Sequence, residues 1–428
     1  MKFSRTILSD AALLITAYLA AYVVRLQFGA PSCGYPAAII SVISALIVQT
    51  GLLTLFGLNT SYRWRVFGRD LPRYATVFML SAAFLLVMRI LAPDYSWARP
   101  PYSVTLIDMV FAFVAIVGYR FLRERWNLDH SVFNLPRVAA LESDCAYLRD
   151  KVVMITGAGG TIGGEIVRQV TKAGAKQVLM VERSENALYK IDLEVDAIPL
   201  MVDINEKTKM EAIFELYKPA IIFHAAAYKH VPMCEANVEE AKRNNTEATR
   251  ELVKMSKAHG VEKFVFISTD KAVKPISVMG KTKREAEKYV LEAGYRVVRF
   301  GNVFGSSGSV IERWRNQIAK GEALTVTDKR MTRYFMSVEE AVALVITAGS
   351  LEPGCIYTLD MGKPFSILEL AERLIREAGY RPYTDIPIVF TGIRAGEKLE
   401  EDLGVDSSEV LPTSKAKIFV TKPLRTRC

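Results

Sequence analysis

Lys151-Val-Val-Met-Ile-Thr156 runs directly into Gly157-Ala-Gly-Gly-Thr-Ile-Gly163, and the reading of this stretch decides the fold. The first six residues are a short β-branched apolar run, the pattern of a strand buried on both faces of a parallel sheet. Glycines at 157, 160 and 163 follow at three-residue spacing, and Glu165–Ala173 continues as a helix. Glycine belongs where the backbone turns sharply and lies close to a pyrophosphate held at a helix N-terminus. A lone glycine triplet is a weak signal, but this one sits between strand and helix. About 20 residues on, Gln177–Val181 forms a second strand ending at the acid Glu182.

Strand and helix patterns keep alternating. Leu200–Val202 leads to Asp203-Ile204, Ala220–Phe223 leads to His224 and Ala225-Ala226-Ala227, and Lys263–Ile267 leads to Ser268-Thr269-Asp270-Lys271. The expected fold is therefore α/β, a Rossmann-type doubly wound parallel sheet with its ligands at the strand C-termini. The expected dinucleotide contacts are Gly157, Gly160, Thr161, Ile162, Gly163, Glu182, Arg183, Ser184, Asp203, Ile204, Ala225, Ala226 and Ala227. Glu182 suits the ribose hydroxyls of NAD, whereas Arg183 keeps NADP open through its 2′-phosphate. An ordinary solvated acid at a strand end is the plainer reading of Glu182.

Upstream the composition changes. Four apolar segments, roughly Ile7–Val24, Ala37–Leu58, Arg73–Leu91 and Val104–Tyr119, each approach the ~20 residues that cross a bilayer. They raise the mean hydropathy of the 428 residues to +0.17. Lys2, Arg5, Arg63, Arg65, Arg69, Arg73, Arg120, Arg123 and Arg125 gather on alternate ends, so both termini are expected on the cytoplasmic side. A cleaved signal peptide is the alternative for the first segment, but three more apolar segments follow. The expected organisation is a four-helix transmembrane region over 1–123, a linker over 124–149, a nucleotide-binding domain over 150–323, and a small C-terminal substrate-binding subdomain and tail over 324–428.

The formal net charge is +9. No nucleic-acid-binding motif accompanies it, so a membrane surface and an anionic phosphate substrate account for it better. Five cysteines without a Cys-x-x-Cys, and only four histidines, give no expectation of a metal site.

Further motifs occupy the C-terminal half: His224-Ala-Ala-Ala-Tyr-Lys-His-Val-Pro232, Ser268-Thr-Asp-Lys271, Met279-Gly-Lys-Thr-Lys283, Arg299-Phe-Gly-Asn-Val-Phe-Gly305, Met331-Thr-Arg-Tyr-Phe335 and Arg394-Ala-Gly-Glu-Lys398. Together they resemble the extended short-chain dehydrogenase/reductase superfamily. Within it they resemble the membrane-associated nucleotide-sugar 4,6-dehydratases of polysaccharide biosynthesis, which act on UDP-N-acetylglucosamine. The superfamily normally has Tyr-x-x-x-Lys where this chain has Met279 and Lys283. Long members of the family also place a second nucleotide-binding-like domain where only about 30 residues, Arg120 to Asp150, are found here.

The resemblance implies that NAD takes hydride from sugar C4, that the resulting ketone acidifies C5, that water leaves across C5 and C6, and that hydride returns to C6. The catalytic group would be Thr269, Asp270, Lys271, Met279 and Lys283, with Lys271 favoured as base, Asp270 as acid, and Lys283 on the nicotinamide ribose. Met279 cannot take a proton, so Thr269, Asp270 or water must assist. Lys229, His230, Asn302, Ser307, Arg333, Arg394 and Glu397 are the expected contacts to the UDP-sugar. Expected partners are the UDP-sugar, the lipid bilayer and a second copy of the chain, with no nucleic acid. The expected location is the inner membrane, multi-pass, with the catalytic part in the cytoplasm. A UDP-sugar C4 epimerase and a non-catalytic cofactor-binding membrane scaffold are the competing readings.

Overall fold

The computed structural model describes residues 2–26, 35–56, 58, 71–91, 102–130, 144–404 and 410–421. The loop arginines Arg63, Arg65 and Arg69 lie outside them. The chain divides into two units, 1–134 with 372–387, and 135–371 with 388–428.

The first unit contains four helices, α1 (Lys2–Leu26), α2 (Tyr35–Leu55), α3 (Leu71–Leu91) and α4 (Tyr102–His130). Both α1 and α3 pack against α2 and α4. The buried residues of α1, Asp10, Leu14, Ala17, Tyr18 and Ala21, recur at helical spacing. So do Tyr74, Val77, Phe78, Ser81 and Leu85 of α3. The opposite faces are apolar as well: Leu19, Val23, Met79, Leu80, Phe84, Val87, Met88, Val110 and Val114 are exposed. Among the described residues, Leu71–Leu91 and Ser103–Arg120 are long and apolar enough to cross a membrane. Asp10–Ala21 and Val42–Leu55 are shorter apolar stretches, so two of the four expected spans meet that measure. The expected linker begins too early, because α4 continues through His130.

Polar groups are buried inside this bundle. Arg120 donates to the Leu58 carbonyl at 2.6 Å, bonds Tyr74 and Asp10, and is only 1% exposed. Gln49 donates to Asp108 at 2.6 Å.

The second unit is built on a nine-stranded sheet. Its parallel strands β1 (Val152–Thr156), β2 (Gln177–Glu182), β3 (Ile198–Met201), β4 (Ile221–His224), β5 (Lys263–Ile267) and β6 (Arg296–Arg299) lie in the order β3-β2-β1-β4-β5-β6. This is the doubly wound arrangement, with its switch point between β1 and β4. Successive β1 side chains enter opposite cores. Val153 and Ile155 join Ile166, Val167, Val342 and Ile346 on one face, and Met154 joins Phe214, Leu252, Phe264 and Val290 on the other. Two-sided burial is why these strands read as continuous apolar runs.

The C-terminal part contributes more to the sheet than the expected boundary at 324 allows. Ile356–Leu359 pairs in parallel with β6. Ile418–Thr421 then adds antiparallel, and Val410–Pro412 adds antiparallel to that. The helix Val338–Ser350 supplies six buried residues to the first core, so this segment completes the sheet before it serves any ligand.

Candidate active site

At the switch point the loop after β1 meets the loop after β4. Gly157 has φ +70°, and a Cβ there would stand 2.7 Å from the Ala226 nitrogen. The helix α5 (Thr161–Lys172) begins against the same loop, and a Cβ on Gly163 would stand 2.0 Å from the Gly157 carbonyl. These contacts leave a cleft of about 170 Å³ lined by Gly157, Gly160, Glu182, Arg183, Asp203, Ile204 and Ala225–Ala227. Sequence reading expected all of these. It did not pick out Tyr228 and Asn244, which also line the cleft.

Thr161 and Ile162 open α5 beside the cleft, and Gly163 is buried beneath it. Ser184 precedes the next helix, and its N–H donates to Glu182 Oε1 at 2.9 Å. Arg183 stacks on the Tyr228 ring, 4.9 Å from its centroid, and lies 3.5 Å from Asp203. Burial works to raise Asp203, but the Asn205 amide groups and Arg183 outweigh it and hold the carboxyl below its usual range. These lining groups fit an adenosine dinucleotide. Glycine backbone faces the phosphates, acids stand at the ends of two adjacent strands, and Arg183 is already engaged with a carboxylate and a ring.

Behind this cleft His224 is a structural residue, as its burial requires. Thr249 donates its proton to the Asn245 carbonyl, so its oxygen accepts from His224 Nε2 at 2.9 Å. His224 Nδ1 therefore accepts from Thr156, at 2.6 Å. Burial first, and then the nearby Lys283 charge, lower this imidazole to about 3, so it stays neutral.

Beyond β5 the chain turns through Asp270–Ala272, with Thr269 as its N-cap. The turn is braced from below. Ser268 donates to Glu287 at 2.6 Å, and Arg299 grips the same carboxylate at 2.7 and 2.5 Å. The helix Val278–Glu292 carries Met279 and Lys283 alongside. Met279 is buried among Val231, Cys234 and Ala241. Lys283 Nζ lies 3.9 Å from the Phe266 ring centre, and burial, opposed by Glu287, lowers it to about 7.

The centre of the site is Asp270 with Lys271. Lys271 Nζ is 2.9 Å from Asp270 Oδ1, and Thr269 donates its hydroxyl to that same oxygen, also at 2.9 Å. Asp270 is 1% exposed, and its Oδ2 has no hydrogen-bond partner. Asn302 Oδ1 is 3.4 Å from Lys271. Glu401, which sequence reading passed over, is 3.5 Å from Lys271 and 3.8 Å from Arg333. Burial alone would lower Lys271, yet Asp270 and Glu401 outweigh it, and the ammonium is raised above its ordinary value.

The expected substrate contacts divide. Lys229 donates to the Ser307 carbonyl at 2.8 Å, while the Ser307 N–H donates to Thr161 at 3.1 Å, so this loop ties both lips of the cleft together. His230 lies against Gly308, where a Cβ would stand 3.0 Å from its ring. Arg394 pairs with Glu397 at 2.5 Å and is half exposed. The fork of Arg333 is engaged inside the protein. It donates to the carbonyls of Thr332, Lys398 and Leu399 at 2.7 to 3.0 Å, tying the C-terminal segment to the site.

Residues 153–423 match the polysaccharide biosynthesis protein family, and the chain belongs to that family. This is the group that the sequence motifs resemble. The chain is 44% identical over 281 residues to the capsular polysaccharide biosynthesis protein CapD of Staphylococcus aureus, covering 62% of this chain and 47% of that one. It is 44% identical over 271 residues to the probable polysaccharide biosynthesis protein EpsC of Bacillus subtilis, covering 60% and 45%. The match thus spans about half the length of these curated relatives. A UDP-glucose 4-epimerase of Rickettsia rickettsii is 32% identical, covering 65% of this chain and 84% of that one. Among solved structures, Pen from Bacillus thuringiensis superposes with a TM-score of 0.61 at 32% identity, covering 66% of this chain and 90% of that one.

Proposed function

We propose that this chain is a membrane-bound, NAD-dependent 4,6-dehydratase that converts UDP-N-acetylglucosamine to a UDP-4-keto-6-deoxy sugar for surface polysaccharide. The single observation behind this is the buried Asp270–Lys271 pair beside a dinucleotide cleft, with a methionine where an alcohol-oxidising relative needs an acid–base hydroxyl. NAD binding is supported by the lining of the cleft, and by fold relatives such as a dTDP-glucose 4,6-dehydratase from Streptomyces venezuelae that was crystallised with NAD. Bound there, the nicotinamide would accept hydride from C4 of the sugar and return it to C6.

The protein's own part is proton movement and positioning. Loss of water across C5 and C6 needs one group to accept the C5 proton and another to protonate the departing C6 oxygen. Asp270 Oδ2 is an acceptor without a hydrogen-bond partner, and Lys271 beside it is a charged donor. We therefore assign Asp270 to C5 and Lys271 to the C6 oxygen, the reverse of the preference drawn from sequence. Lys283, lowered to about 7, would share its proton with the ribose of the cofactor. Thr269 holds Asp270 Oδ1 and so aims Oδ2.

Apolar outer faces on the helical unit support a multi-pass membrane location, and the archaeal relative MJ1061, 37% identical, is described as a membrane protein. Positive loop charge supports a cytoplasmic catalytic part. The epimerase reading keeps some support from the Rickettsia relative, but Met279 leaves it without the expected hydroxyl base.

Full-length protein in detergent, given UDP-N-acetylglucosamine and NAD in deuterated water, tests the proposal by proton NMR. A new C6 methyl signal with deuterium at C5 is expected. Conversion to UDP-N-acetylgalactosamine without a methyl signal would establish the epimerase instead. Unchanged sugar with NAD bound would point to another substrate or to the scaffold.

A further inference from the structure

Lys271 is flanked by two carboxylates, and only one of them adjoins it in sequence. Glu401 lies 130 residues away, in the segment that Arg333 ties down through the carbonyls of Lys398 and Leu399. Its side chain is 3% exposed, its Oε1 faces Lys271 at 3.5 Å, and its Oε2 is buried without a hydrogen-bond partner. A buried acid kept for packing normally has its oxygens satisfied. Glu287 in the same unit shows this, since both its oxygens are held by Ser268, Arg299 and Arg284. Glu401 instead shares an oxygen orphaned in the same way as Asp270 Oδ2, across the same ammonium.

We propose that Glu401 is a positioning residue for the reaction, which holds the Lys271 ammonium charged and in place as proton donor to the departing C6 oxygen. The inference rests on the dehydratase reading for its chemistry, but not for the pairing itself. The charged groups around Glu401 are Lys271, Asp270, Arg333 and Lys398. Burial, and then the neighbouring Asp270 charge against the pull of the cations, leave Glu401 raised above the usual carboxylate range. Removing one of the two carboxylates that face Lys271 weakens the hold on the lysine proton.

Full-length wild type and Glu401→Gln, labelled with acetic anhydride across a pH series and read by mass spectrometry at Lys271, provide the test. Glu401→Gln should bring the Lys271 labelling midpoint down by on the order of one pH unit, because an opposite charge at this range is worth that much. The high-pH limb of kcat should fall by the same amount, with KM for the nucleotide sugar little changed. Glu401→Asp, which sets the charge back by one methylene, should give a smaller shift of the same sign, and serves alone if the glutamine variant does not fold. A labelling midpoint unmoved in both variants overturns the proposal, even if both lose activity. A midpoint shifted in the variants, with a wild type that produces no C6 methyl sugar, would leave Glu401 as the holder of Lys271 and remove the dehydratase reading instead.

Discussion

The lysine at 283 gives the clearest link between burial and chemistry at the scale of one residue. Its ammonium falls from the ordinary 10.5 to about 7 because burial outweighs the Glu287 charge. The sign follows from linkage. Between about 7 and 10.5 the unfolded chain holds this proton and the folded chain does not, so folding stability gained from this group rises with pH across that window. Lys283→Met should abolish that rise. Thermal unfolding of full-length protein in detergent at pH 7 and pH 9.5 checks it: the stability difference, wild type minus variant, grows with pH, and a constant difference contradicts the account. Lys283 was legible from its spacing after Met279, and Asp270 from its place after a strand. Glu401 was not, since nothing local marks one acid in Leu399-Glu-Glu-Asp402, and only the folded chain brings it to Lys271. The backbone partners of Arg333 were illegible for a related reason. An arginine fork recognises a phosphate and a pair of backbone carbonyls equally well, and only the fold shows which are present.

Among elements, β1, its glycine turn and α5 were readable almost in full, because each requirement there is local. A strand needs apolar residues, a turn needs φ above zero, and a close approach needs no Cβ. Gly163→Ala tests the last requirement, since the added carbon would stand 2.0 Å from the Gly157 carbonyl. The turn must open, and NAD that copurifies with the protein should fall on the order of tenfold or more, which needs only about 1.4 kcal/mol. Unchanged NAD content, assayed after denaturing the full-length protein, would show that the turn yields without disturbing the cleft. The end of α4 and the strand Ile418–Thr421 were less legible. A helix can outrun its apolar stretch, and an antiparallel edge strand is defined by the neighbour it finds.

For the molecule as a whole, the helical unit is apolar outside and polar at selected points inside. Arg120 joins α4 to Asp10 of α1, to Tyr74 of α3 and to the Leu58 carbonyl after α2. Arg120→Leu should cost about 3–5 kcal/mol, the penalty for breaking a buried pair from one side, and adding Asp10→Leu should recover most of it. Melting temperatures in detergent decide this, and equal melting of wild type and the single variant would remove the role. In the catalytic unit the charges oppose one another: Asp270 and Glu401 stand against Lys271 and Arg333. Such a cluster projects almost no field into solvent, so it cannot draw in a dianionic nucleotide from a distance. That pull must come from charge outside the cluster, and it fades as the Debye length shrinks to about 8 Å at physiological salt. Added potassium chloride should therefore raise KM for the UDP-sugar and leave kcat nearly level, in the wild type and in Glu401→Gln alike. A kcat that fell with salt while KM held would place the electrostatic sensitivity at the centre of the site. With that outcome excluded, ionic strength governs how often a sugar nucleotide arrives and has no hold on what happens to it afterwards.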